Sequence, residues 1–199
     1  MVSEAVFDGS AALGAPEEIA DSPWVVMKFG GSSVSSADNW ATIAALIKRR
    51  LDEGLKPVVV HSALKGISNG LEEILQLAVT GDPSAQLEDV RKQHYELAED
   101  LGLDGPALLD DTLHQLGQLV AGVRLVREVS VRVRVRIMAL GELMSTRLGA
   151  EYLEAAGIPV QWVDAREMLR SRSRTGRNPV NAYLAATCDC VPDEALQAR

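Results

Sequence analysis

The sequence predicts an α/β fold built on a mainly parallel sheet, and three observations carry that reading. A short apolar, β-branched run from Trp24 to Phe29 stops abruptly at Gly30-Gly31, the pattern of a buried strand feeding a glycine turn. A helical stretch follows, with Trp40, Ile43, Ala44, Ile47 and Leu51 on one face, Ser36 placed to cap its start and Gly54 to close it. Pro57 then opens a second strand, Val58 to His61, and Ser62 begins another polar loop. In open parallel sheets built from such strand–helix–strand units, ligands bind where the strands end. Gly30–Ser33 and Ser62–Asn69 are therefore expected as neighbours around one crevice.

From Leu71 to about Val126 the pattern is helical, and Pro83 and Gly105-Pro106 divide it into about three helices. Val131, Val133, Val135 and Ile137 then alternate with Arg132, Arg134 and Arg136. Taken alone that alternation reads as a strand, whereas the helical spacing of Leu143, Thr146, Leu148, Tyr152 and Leu153 favours helix or turn before Gly141. Gly157 and Pro159 introduce a third strand, Val160 to Val163. Ser171 to Asn178 reads as a basic polar loop, and Tyr183 to Cys188 as a further strand.

Composition narrows the class. Of 199 residues, 47% are hydrophobic and 24% charged, enough to bury a core, while aromatics at 4% leave it to Val, Leu, Ile and Ala. A net charge of −8 argues against nucleic-acid binding, which needs a basic surface. Arg124, Arg127, Arg132, Arg134 and Arg136 read as a solvated face pairing with abundant acids. No apolar run reaches membrane-spanning length. Residues 1–22, acidic and rich in small side chains, read as a flexible leader rather than a secretion signal, with the folded domain over 23–199. Cys188 and Cys190 are too few for a metal cluster and read as reduced thiols of a cytoplasmic protein. His61, His94 and His114 show no ligand spacing and read as structural or solvated.

Three constellations carry chemistry. In Lys28-Phe29-Gly30-Gly31-Ser32-Ser33, paired glycines after a strand let backbone amides approach phosphate oxygens, and the lysine can place charge on a phosphoryl group in transfer. The plainer alternative is a strand-ending glycine pair beside an exposed lysine. His61-Ser62-Ala63-Leu64-Lys65-Gly66-Ile67-Ser68-Asn69 offers hydroxyls and an amide to a polar small molecule, or else Ser68 or Asn69 simply caps the next helix. In Gly141-Glu142-Leu143-Met144-Ser145, Glu142 suits a substrate ammonium group, or else caps a helix start.

Together, K-F-G-G-S-S-V, V-H-S-A-L-K-G-I-S-N and G-E-L-M-S, in this order and rough spacing, closely resemble aspartate kinases of the amino-acid kinase family. The resemblance runs from about Trp24 to Asp193 and includes Val163-Asp164 after the third motif. It implies a three-layer α/β/α sandwich, here incomplete, and transfer of the ATP γ-phosphoryl to the side-chain carboxylate of L-aspartate in lysine, threonine and methionine biosynthesis. It assigns Lys28, Gly30, Gly31 and Ser32 to the ATP phosphates, with Lys28 catalytic, and Ser62, Ser68 and Glu142 to aspartate. ATP and Mg²⁺ are implied as cofactors, with no protein metal ligands read in the sequence, and the full-length protein as a homo-oligomer. Acetylglutamate or uridylate kinase-like enzymes, or a non-catalytic binding module, are the alternatives. Leu64 and Lys65 depart from the smaller residues expected there. The family's second glycine-rich segment, catalytic aspartate and carboxylate-binding arginine are expected after Asp193, so the chain reads as a fragment, inactive alone. The Cys188-Asp189-Cys190-Val191-Pro192-Asp193 stretch resembles kinases fused to a diaminopimelate decarboxylase.

Overall fold

The computed structural model describes residues 22–168 and the backbone of two short strands, Ser171–Arg172 and Thr187–Cys188. Apart from Ser22, the expected leader lies outside the described residues. Strands β1 (Trp24–Phe29) and β2 (Lys56–His61) pair in parallel, from Trp24 opposite Lys56 to Phe29 opposite His61. Between them run a 3-10 turn, Gly31–Val34, and helix α1, Ala37–Asp52. Ser36 caps α1 as expected, its hydroxyl accepting the Asn39 amide proton. Trp40, Ile43, Ala44 and Ile47 are buried, whereas Leu51 in the last turn is exposed. Trp40 remains satisfied inside the core because its indole N–H donates to the Val34 carbonyl at 3.0 Å.

Only one face of this sheet is covered. Met27, Phe29 and Val59 pack on the core, and α1 and the long helix α5 lie against β2. On the other face Val26 is 70% and Trp24 59% exposed, and Val58 and Val60 join them. The run that reads as a buried strand is thus covered on one face among the described residues. Among the described residues nothing covers the second face, so the sandwich expected from the resemblance is an incomplete α/β domain.

The helical half follows the sequence punctuation. Helix α2 spans Ile67–Thr80, α3 Ser84–Asp100 and α4 Gly105–Val126. Pro83 sits at the α3 N-cap, and Asp104 caps α4 by accepting the Ala107 amide proton at 3.0 Å. Helix α5, Val131–Ala155, packs with α4 across α2. Leu71, Ile74 and Leu75 of α2, Leu109 and Leu116 of α4, and Ile137, Leu140, Met144 and Leu148 of α5 are almost fully buried. Each contributes on the order of 1.5–3 kcal/mol.

The strand-like alternation of Val131 to Ile137 yields to the helix that the spacing after it favours, whereas the strand read at Val160 to Val163 does not form. Val131 to Ile137 opens α5: Ser130 caps it by accepting the Val133 amide proton, and Ile137, Leu140, Met144 and Leu148 continue an inward stripe at helical spacing. The alternating arginines stay outside, Arg134 pairing with Glu72. Val160 to Val163 forms no ladder, because none of the described strands lies beside it. A short helix α6, Ala165–Met168, follows. Within the expected basic loop, Ser171–Arg172 is strand β3 and pairs antiparallel with β4, Thr187–Cys188. The remainder of that loop and Tyr183–Ala186 lie outside the described residues. Among the described residues no helix is long and apolar enough to cross a membrane.

Candidate active site

The two loops that leave β1 and β2 meet backbone to backbone. A Cβ on Gly31 would stand 2.8 Å from the carbonyl oxygen of Ala63 and 3.2 Å from the amide nitrogen of Lys65, so no other residue fits there undisturbed. Ser62 is tied to the end of β1, its amide donating to the Phe29 carbonyl at 3.3 Å. The parallel register therefore does what the sequence expects and sets Gly30–Ser33 beside Ser62–Asn69.

Within the first loop, the Ser33 amide closes onto the Gly30 carbonyl at 2.9 Å. The amides of Gly31 and Ser32, at the start of the 3-10 turn, have no carbonyl within it to bond. Gly30 lies in the open, with nothing within 4 Å of where a Cβ would stand. Lys28 is exposed at the end of β1 and makes no ion pair among the described residues.

The second loop turns into α2 at Gly66, whose φ of +88° lies in the left-handed region that glycine adopts freely. Gly66 is the N-cap, so neither Ser68 nor Asn69 caps this helix. Ser68 instead lies exposed in the first turn of α2, while Ser62 is half-buried and donates to its neighbour's carbonyl.

The third motif reaches the same place from the other side. A Cβ on Gly141 would stand 3.0 Å from Ile67 and Leu71 side-chain carbons and 3.2 Å from Cβ of Ala63. Helix α5 thus lies directly against the second loop, and Ala63 touches the first motif through its carbonyl and the third through its methyl. Glu142 lies in the interior of α5, far from either end, which removes the helix-capping alternative. It is half-buried and has no ion-pair partner among the described residues.

Other residues tighten this junction. His61 Nδ1 lies 3.2 Å from the Ser62 carbonyl and 3.3 Å from the buried Ser145 hydroxyl, joining β2 to α5. Its ring stands edge-on to Trp40, and both press on Gly149, where a Cβ would come within 2.2 Å of the indole. Burial holds the His61 imidazole below its ordinary pKa, partly offset by the bond to the Ser62 carbonyl. Ser35 bonds to both loops, and Asn39 Nδ2 donates to the Ser32 carbonyl at 3.0 Å. Asp164, buried after the third motif, is occupied by Arg166, whose hydrogen bonds hold its carboxyl below the usual carboxylate range. Among the described residues no group of three or more His, Cys, Asp or Glu side chains is placed to hold a metal. An apolar cleft lined by Leu119, Val123, Val126 and Val133 sits at the α4–α5 turn and contains none of the residues above.

A parallel strand pair, a glycine loop locked to a polar loop and a carboxylate-bearing helix against the second of these loops define an α/β ligand-binding scaffold. The chain belongs to the amino acid kinase family, whose model matches residues 23–189. Among curated relatives it is 39% identical over 148 residues to aspartokinase 3, chloroplastic, of Arabidopsis thaliana, covering 72% of this chain and 26% of that one. Lysine-sensitive aspartokinase 3 of Escherichia coli (strain K12) is 29% identical over 155 residues, covering 77% and 33%. The crystal structure of E. coli aspartokinase III in complex with aspartate and ADP (R-state) superposes with a TM-score of 0.65 at 28% identity, covering 82% of this chain and 34% of that one. The chain thus spans between a quarter and a third of these relatives.

Proposed function

We propose that residues 23–199 form the amino-terminal part of an aspartate kinase catalytic domain, which transfers the γ-phosphoryl of ATP to the side-chain carboxylate of L-aspartate. The observation that carries this reading is the meeting of all three motifs on Ala63, with Lys28 and Glu142 both without an ion-pair partner among the described residues. Similarity to aspartokinases, one of them crystallised with aspartate and ADP, supports the choice of acceptor.

In this reading the free amides of Gly31 and Ser32 receive ATP phosphate oxygens, and the open space over Gly30 lets them approach. Lys28 neutralises charge on the phosphoryl group as it moves. Ser62 and Ser68 hold the acceptor by hydrogen bonds, and Glu142 receives its ammonium group. The attacking aspartate carboxylate is already ionised at neutral pH, so the chain needs no general base and catalyses by alignment and charge. Mg²⁺ would enter with the nucleotide and supply further neutralising charge. A cytoplasmic, homo-oligomeric full-length enzyme of amino-acid biosynthesis completes the proposal. The test is ATP turnover by the full-length gene product with Mg²⁺ and, separately, aspartate, glutamate, acetylglutamate and uridylate. Turnover confined to aspartate is expected, and a preference for any other acceptor refutes the assignment.

A further inference from the structure

Ser35 stands between the glycine loop and α1, and its hydroxyl bridges the two loops of the site. It donates to the Gly31 carbonyl at 2.5 Å and accepts the Lys65 amide proton at 2.8 Å. The first bond is local, but the second joins residues 30 positions apart in the chain. Both ends fall where the loops touch, since the Lys65 nitrogen is also 3.2 Å from the Cβ position of Gly31. One oxygen atom therefore fixes the spacing of the two loops at their closest approach.

We propose that Ser35 is a positioning residue for phosphoryl transfer, holding the loop of Lys28, Gly30, Gly31 and Ser32 against the loop of Ser62 and Ser68. This rests on the aspartate kinase reading for its donor and acceptor. Ser35 touches neither substrate and acts through the Gly31 carbonyl and the Lys65 amide. Transfer requires the reacting oxygen and phosphorus to be held near contact distance and in line, and a misplacement of about 1 Å costs on the order of 10²-fold in rate. Removing the hydroxyl leaves the groups that hold each substrate in place but frees one loop to drift from the other. The Lys65 amide lies at the surface, where water replaces the lost partner, so folding is little affected.

The signature is a loss in kcat with little change in either KM. In the full-length gene product, Ser35→Ala should lower kcat about 10-fold or more, keep both KM values within about 3-fold and leave the unfolding temperature almost unmoved. Ser35→Thr, which keeps the hydroxyl, should recover most of the rate. An unchanged kcat in Ser35→Ala, an equal loss in Ser35→Thr, or a rate loss accompanied by a large drop in unfolding temperature overturns the assignment. Hydrogen exchange with a non-hydrolysable ATP analogue separates this from the choice of acceptor. Protection should spread from residues 30–35 to residues 62–66 in the wild type and Ser35→Thr but stay confined to 30–35 in Ser35→Ala. Equal spread in all three overturns the latch whatever the acceptor, whereas coupled loops without aspartate turnover refute only the aspartate reading.

Discussion

Replacing Gly31 by alanine probes the contact on which the site is built. The added methyl would lie 2.8 Å from the Ala63 carbonyl oxygen and 3.3 Å from the Leu64 carbonyl carbon, both backbone atoms that no rotamer change can move. Ordinary contact begins near 3.4 Å, so the two backbones must part by roughly 0.6 Å. The loops resist: Ser33 is bonded to Gly30, Ser62 to Phe29 and Lys65 to Ser35. Overpacking of this kind costs about 1–3 kcal/mol, which lowers the unfolding temperature by several degrees in a domain of this size. The rate should suffer more, because the shift parts the loop proposed to hold ATP from the loop proposed to hold the acceptor: about 10²-fold in kcat is expected. A coupled assay of ADP release by the full-length gene product, with ATP, Mg²⁺ and aspartate saturating, measures it beside a thermal melt. Gly30→Ala is the control, since its methyl meets nothing within 4 Å and φ is −86°. That variant should melt normally and weaken only ATP binding. Wild-type kcat in Gly31→Ala would refute the claim that loop spacing governs transfer.

The remaining predictions concern single side chains. Lys28→Ala should lower kcat by about 10²-fold or more with little effect on aspartate KM or melting, because Lys28 is exposed and in the proposed reading its charge acts on the moving phosphoryl group. A near-normal rate removes that role. Glu142→Gln should raise aspartate KM about tenfold while ATP KM stays put, because a buried charge-assisted bond to an ammonium group is worth about 1.5–3 kcal/mol. Equal changes in both constants would place Glu142 elsewhere. His61 and His94 are both held below the ordinary histidine pKa by burial, partly offset by bonds to the Ser62 and Val90 carbonyls. In the unfolded chain they take up protons near pH 6.5, in the folded chain only below that. Their contribution to stability is therefore present above about pH 6.5 and is lost as pH falls towards the folded values. Melting temperature should fall from pH 7.5 to 5.5, and His94→Leu should flatten the slope; a flat wild-type profile counts against neutral burial of both rings.

The sequence by itself determined the β1–α1–β2 unit, the breaks between α2, α3 and α4, and the adjacency of Gly30–Ser33 and Ser62–Asn69. Those features are local: a glycine pair ends a strand, a proline ends a helix, and a parallel crossover puts consecutive strand ends side by side. Tertiary structure decided the rest. Val131–Ile137 alternates like a strand but lies in α5, because Ile137 starts a stripe continuing through Leu140, Met144 and Leu148 that is buried where α5 packs on its neighbours, α2 and α4 foremost. Val160–Val163 has the composition of a strand but no strand to pair with among the described residues, and pairing is a property of two segments. The helix-cap alternative for Glu142 fell away once the true start of α5 was placed at Ser130, which leaves a half-buried carboxylate in a helix interior. Ser35 was not singled out, and His61 read only as structural or solvated, for the same reason. A hydroxyl in a loop or an imidazole at a strand end carries no periodicity, and its importance depends on which distant amide or hydroxyl the fold delivers to within 3 Å or so of it.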